Sequence, residues 1–151
     1  MTDEVVHDTF VIERTFLVPP ERVFAAWADP AIKSQWFAGP DDWDSGVYSL
    51  DFRVGGHEKT SGGPPGEPTH YYDAEYREIV PNERFLTTYV MHKDETLISV
   101  SVATLEFEAV DGGTRMTMTE QGTYLTDGPA APISRREGTN DLLDALTKVL
   151  I

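Results

Sequence analysis

Ser134-Arg135-Arg136-Glu137-Gly138-Thr139-Asn140-Asp141-Leu142-Leu143-Asp144-Ala145-Leu146-Thr147-Lys148-Val149-Leu150 is the stretch on which the fold turns. Leu142, Leu143, Leu146, Val149 and Leu150 recur at helical spacing, and Ser134 with Glu137 three residues on has the form of a capping box. An amphipathic helix must lay its apolar stripe on something, and what precedes this one reads as strand. His70 to Val80, Arg84 to His92, Leu97 to Phe107 and Thr114 to Tyr124 are joined by Pro81-Asn82-Glu83, by Lys93 to Thr96 and by Asp111-Gly112-Gly113. Connections this short favour an antiparallel meander.

Further out, Ser61 to Pro68 has the composition of a loop, and a short strand is expected near His57 to Thr60 after Gly55-Gly56. From Val47 to Val54 the residues Tyr48, Leu50, Phe52 and Val54 alternate with polar ones, which predicts another strand. At the front, Thr9 to Leu17 alternates, with Phe10, Ile12, Arg14 and Phe16 on one face, and Val18-Pro19-Pro20 ends it. Pro20 suits the first turn of a helix that buries Val23, Phe24 and Trp27. Asp29-Pro30 opens a second helix carrying Ile32, Trp36 and Phe37, closed by Gly39-Pro40. The expected fold class is therefore α+β: a curved antiparallel sheet of about six or seven strands wrapped around a long C-terminal helix, with two short helices after the first strand. A bent sheet and a straight helix do not fit flush, so a cavity between them is expected, and such apolar hollows take small ligands.

The 151 residues suit one domain, read as residues 9–151 with a short extension over 1–8. Twelve Lys plus Arg against 26 Asp plus Glu leave a net charge of −14, which argues against nucleic acid and membrane surfaces as partners. The absence of cysteine removes disulfides, thiolate metal sites and cysteine nucleophiles. The acidic start Met1-Thr2-Asp3-Glu4 lacks the pattern of a signal peptide, and the chain is read as soluble and cytoplasmic.

Several segments together resemble a known family: Ile12-Glu13-Arg14-Thr15-Phe16, Pro19-Pro20-Glu21-Arg22-Val23-Phe24, Trp27-Ala28-Asp29-Pro30, Leu50 to Gly56, and Tyr76 to Phe85. Their order and spacing, with Gly112-Gly113-Thr114 opening the last strand, are similar to the family named after the activator of Hsp90 ATPase. That family lies within the START-like or Bet v 1-like superfamily of helix-grip proteins, which also holds polyketide cyclases. The resemblance implies a hydrophobic pocket, and it implies no particular reaction. The chain departs from the family pattern at Gly138-Thr139, where the resemblance would put Gly-Trp. Nothing corresponds to the separate amino-terminal domain of the eukaryotic co-chaperone, which argues against ATPase activation.

Alternation puts Arg14 on the covered face, where an unpaired guanidinium would cost several kcal/mol. In the last strand Glu120 falls on the side of Met116 and Met118. The resemblance makes the first and last strands neighbours, so an Arg14–Glu120 pair is expected at the pocket wall. It would either orient a polar ligand group or only fix strand register. The histidines His7, His57, His70 and His92 lack metal-ligand spacing, His70 and His92 read as solvated strand-end residues, and Asp41, Asp42 and Asp44 lack the rest of a calcium loop. No metal, cofactor or catalytic nucleophile is expected, although His92 is a candidate for an acid–base role. Tyrosines on a covered face need hydroxyl partners, which suits a pocket; Tyr48 and Tyr72 lead on this ground. The expected ligand contacts are Arg14, Trp36, Tyr48, Phe52, Tyr72, Met118, Glu120 and Leu142.

The leading expectation is a binding protein for a hydrophobic, aromatic or lipid-like small molecule. The alternatives are a cyclase- or aromatase-like enzyme and a chaperone-regulating interaction module. In the hairpin from Arg84 to Phe107 apolar residues stand on both faces, Leu86 and Val90 on one, Phe85, Tyr89 and Met91 on the other. If neither face is left to water, the chain forms a homodimer.

Overall fold

Proline and aspartate punctuate the first quarter of the chain as expected. In the computed structural model, which describes residues 4–38 and 43–151, strand β1 spans Val6–Phe16 and helix α1 spans Pro20–Ala28. Helix α2 spans Pro30–Trp36, and Asp29 caps it, its Oδ1 accepting from the Ala31 amide at 2.9 Å. The expected stop at Gly39-Pro40, the residues Asp41 and Asp42, and the opening Met1-Thr2-Asp3 lie outside the described residues. β1 starts ahead of Thr9 because Val6, His7 and Asp8 pair in register with Tyr124, Thr123 and Gly122.

The long strand expected over Val47 to Val54 is corrected. Only β2 (Asp44–Ser45) and β3 (Ser49–Leu50) form there, with Val47 and Val54 exposed. The chain doubles back after Leu50: the Arg53 amide donates to the Asp51 carbonyl, the Gly56 amide to the Arg53 carbonyl, and Gly55 sits at φ +84°. Period-two alternation was present, but the local turn bonds and the positive-φ glycine prevail over it.

Strands β4 (His57–Gly63), β5 (His70–Val80), β6 (Arg84–Lys93), β7 (Thr96–Val110) and β8 (Gly113–Tyr124) then form the meander, and α3 spans Ala130–Val149. The sheet runs β1-β8-β7-β6-β5-β4-β2, with β3 against β4, and every pairing is antiparallel. Helix α3 starts four residues before Ser134, so Ser134 and Glu137 are not its capping box. Pro132 is its third residue, where an amide has no intrahelical partner, so the missing N–H costs nothing.

The sheet's inner face carries Phe10, Ile12 and Phe16 of β1, Met116 and Met118 of β8, Leu105 and Phe107 of β7, Phe85 and Tyr89 of β6 and Tyr76 of β5, all buried. Burial settles the ambiguous hairpin: Phe85, Thr87 and Tyr89 point inward, Leu86, Thr88 and Val90 outward. One end of the core is aromatic, with Phe24 set edge-on to Phe52 at 5.5 Å and to Phe107 at 5.4 Å, and Trp27 against Trp36 at 4.7 Å. Leu143, Leu146 and Leu150 press α3 into this core.

Candidate functional site

Along the concave face the apolar core gives way to two buried polar clusters. The first joins α2 to β4. Lys33 and Glu58 are 2% and 1% exposed, and Lys33 Nζ lies 2.8 Å from both carboxylate oxygens. The Tyr48 hydroxyl donates to Glu58 Oε2 at 2.6 Å, and the ammonium stands over the rings of Phe37, Trp27 and Trp36 at 4.2, 5.0 and 5.7 Å. Burial pulls the Lys33 pKa down, and the Glu58 charge opposes it.

The second cluster lies between β6, β7, β8 and the first turns of α3. Arg135 reaches down from the helix, donating from Nη1 to the Tyr89 hydroxyl at 2.9 Å and from Nη2 to Ser99 Oγ at 2.8 Å. Its Nη1 stands 4.0 Å from Glu120 Oε2, a charge contact too long for a hydrogen bond. Glu120 is 2% exposed, and burial lifts its carboxyl above the usual range, against the pull of Arg135 and of the Tyr89 hydroxyl. Among the described residues, Glu120 Oε2, Ser101 Oγ and Tyr124 Oη are buried with no hydrogen-bond partner. Orphaned buried polar atoms are rare in native folds and call for water or a ligand.

Tyr72 stands between the clusters, its ring 5.3 Å from Phe37 and 4.9 Å from Tyr89. Burial pushes its phenol pKa well up, with the charges of Glu58 and Glu120 adding to the shift, yet part of its surface stays accessible. A depression of about 360 Å³ opens at the β1 side of α3, lined by Val6, Asp8, Pro129, Pro132, Ile133 and Arg136. The register sets Val6 against Tyr124 and Asp8 against Gly122, so this depression lies beside the strand segment that carries part of the second cluster.

The expected Arg14–Glu120 pair does not form. The β1–β8 register sets Arg14 opposite Met116, and Glu120 opposite Phe10. Arg14 turns instead to the flank of α3, donating to Asp144 Oδ1 at 2.9 Å and to Asn140 Oδ1 at 3.1 Å. Glu120's cation is Arg135. Tyr72, Glu120 and Met118 do share the concave face, with Leu142 half-buried on α3 above it. Trp36 and Phe52 belong to the aromatic end of the core, the Trp36 Nε1 donating to the Ala26 carbonyl at 2.9 Å. Tyr48 is committed to Glu58.

His92 pairs in register with Tyr71 and lies on the outer face, beside Tyr71, Asp94 and Glu95, so it has no part in the pocket. His70 stacks on Trp43, and His57 Nδ1 lies 2.8 Å from Asp73. Reading the sequence missed Arg135, Tyr89, Ser99, Ser101, Tyr124, Lys33 and Glu58. Arg135 carried a signal: it precedes Thr139, Leu143 and Leu146 on the buried stripe by helical steps. Lys33 likewise sits one turn before Trp36 and Phe37.

Comparison with known proteins agrees with this fold. The family described as Activator of Hsp90 ATPase homolog 1-like protein matches residues 17–150. No curated protein matches the chain. Among solved structures, an uncharacterized protein from Rhizobium leguminosarum is 45% identical, with a TM-score of 0.90 over 97% of this chain and 96% of that one. The Mll3558 protein from Rhizobium loti is 40% identical, with a TM-score of 0.88 over 98% of this chain and 100% of that one. The CV1439 protein from Chromobacterium violaceum is 26% identical, with a TM-score of 0.79 over 94% of this chain and 96% of that one. Among the described residues no helix is long and apolar enough to cross a membrane.

Proposed function

The chain belongs to the activator of Hsp90 ATPase homolog 1-like family, and we propose that it binds an apolar or aromatic small molecule between the concave sheet face and α3. One observation carries this reading. Beneath the first turns of α3, an arginine, a carboxyl and several hydroxyls are buried together with three oxygens lacking a partner among the described residues. A dry core tolerates such a cluster poorly: Trp27 Nε1 is a single unpartnered atom in the aromatic core, whereas three gather here, and each unpaired buried polar group costs about 1–3 kcal/mol. A pocket with a polar end accounts for it. Tyr72 and Phe37 supply an aromatic wall, Met118 and Leu142 an aliphatic one, and the depression beside β1 supplies access.

The test is a thermal-shift screen with fatty acids, flavonoid-like aromatics and polyketides. A ligand at a hundred times its Kd adds about 2.7 kcal/mol of stability, which for a chain of this size raises Tm by roughly 5–10 °C. The shift should grow with ligand concentration and shrink in Arg135→Met. No shift from any of the three classes overturns the reading.

A second reading, proton-transfer chemistry of the cyclase or aromatase kind, draws on Glu120. Its carboxyl, raised by burial and held against Arg135 and Tyr89, suits a general acid or base. Conversion of a bound polyketide, abolished in Glu120→Gln even at saturating ligand, would favour the enzyme over the carrier.

A further inference from the structure

We propose that the orphaned oxygens beneath α3 form a subsite for a neutral hydroxyl of the ligand, a phenol or enol, and that this subsite selects against carboxylates. The proposal deepens the pocket reading and rests on it.

Glu120 Oε2, Ser101 Oγ and Tyr124 Oη belong to one patch. Ser101 lies opposite Gly122 in the β7–β8 ladder, and Glu120 and Tyr124 flank Gly122 on the same face. Gly122 is what brings them together. A Cβ there would stand 2.9 Å from the Tyr124 hydroxyl, so the phenol folds back over the glycine to the place opposite Ser101. Arg135, bonded to Tyr89 and Ser99, closes the patch from the helix side.

Counting donors and acceptors names the ligand group. An ionised Glu120 only accepts, whereas serine and tyrosine hydroxyls can do either. A ligand hydroxyl satisfies this set: it donates to Glu120 Oε2 and, with two lone pairs, accepts from both Ser101 and Tyr124. An ether or ketone offers Glu120 Oε2 no donor, leaving the carboxyl only the Tyr89 hydroxyl beside it. A purely apolar end leaves all three oxygens unpaired.

Charge argues against a carboxylate. The patch already holds one cation and one anion, with Arg135 Nη1 4.0 Å from Glu120 Oε2 and one N–H of each terminal guanidinium nitrogen given to a protein hydroxyl. A second anion would be buried without a counter-ion of its own. It would also pass Asp8 at the mouth, against a chain carrying −14.

Calorimetric titration of the full chain with 2-naphthol, naphthalene-2-carboxylate and naphthalene, at neutral pH, tests this. The three share one apolar body and differ only at the polar end. Naphthol should bind about tenfold or more tighter than either of the others. Tyr124→Phe and Ser101→Ala each remove one hydroxyl without changing charge, and each should weaken naphthol by about three- to tenfold while leaving naphthalene unchanged. Glu120→Gln frees Arg135 from its counter-ion, so the carboxylate should overtake naphthol. Should Glu120→Gln fail to fold, the two hydroxyl deletions decide alone. Equal binding of naphthol and naphthalene, indifferent to Ser101 and Tyr124, would mean that the oxygens are met by ordered water; that overturns the subsite and leaves the pocket standing. If none of the three binds, and no lipid or polyketide does either, the pocket falls and the subsite with it.

Discussion

Arg14 and Arg135 both meet α3, and their surroundings set opposite worths. The Arg14 side chain is 24% exposed and its partner Asp144 63%, so water screens the pair, and Arg14→Ala should cost under about 1 kcal/mol in urea denaturation. Arg135 is the counter-ion of a carboxylate that is 2% exposed. Arg135→Met leaves that charge alone and should cost about 3 kcal/mol at about pH 8. The sign with pH follows from Glu120. Its folded pKa is raised by burial, so between the unfolded and folded values the native state holds a proton that the unfolded chain releases, and stability falls as pH rises through that window. Losing Arg135 lifts the folded value further, so the penalty should shrink at about pH 5, and a pH-independent penalty would refute the assignment. Lys33→Met isolates Glu58 in the same way and should cost about 3–5 kcal/mol, most of it regained in the Lys33→Met, Glu58→Met double variant. Alternation placed Glu120 inward from sequence alone. It could not name Arg135 as partner, because that contact depends on how α3 is rotated over the sheet, and the nearer-looking cation, Arg14, lies four residues along β1 from Phe10, the residue that faces Glu120.

At the scale of elements, adjacent glycines at the β7–β8 turn do different jobs. Gly112 has φ +80° with open space where a Cβ would go, so Gly112→Ala should cost only the left-handed backbone penalty, about 1–2 kcal/mol. Gly113 lies against the Phe16 carbonyl oxygen, and a Cβ there overlaps it, so Gly113→Ala must part the β1–β8 ladder. A cost of about 3 kcal/mol is expected, with faster amide exchange along β1. Equal costs for the two variants would show that the close approach is not what Gly113 serves. Turn residues of this kind made the meander legible, since each short connection forces an antiparallel neighbour. Two elements were misread for want of local detail. Alternation over Val47 to Val54 matched a strand, but the Asp51–Gly56 turn shortened it to Ser49–Leu50. Ser134 and Glu137 matched a capping box, but Pro132 is harmless in a first turn, and the helix begins at Ala130.

At the scale of the whole molecule, the order of strands and helices was legible because it follows from periodicity and loop length, while the polar interior was not, because its pairs join residues far apart in the chain. Lys33 and Glu58 are 25 positions apart, and Arg135 and Tyr89 are 46. That interior makes an alkaline prediction. Burial pushes the phenols of Tyr48, Tyr72, Tyr76 and Tyr89 well above their ordinary value, and that of Tyr124 up to about 12. Above about pH 10 the unfolded chain loses these protons while the native state keeps them, so stability falls as pH rises. For Tyr76 and Tyr89, 1% and 6% exposed, the slope is about 1.4 kcal/mol per pH unit each. Lys33 pulls the other way, because its folded pKa is lowered and the native state gains on the unfolded one up to its ordinary value of 10.5. One lysine cannot offset five phenols. Tyrosinate absorbance should therefore rise together with the loss of circular dichroism, in one cooperative step. A ligand seated against Tyr72 and Tyr124 should move that step to higher pH, because it binds only the folded chain. Titration of these phenols with the sheet intact would mean that water already reaches them and that the polar face beneath α3 is open rather than enclosed.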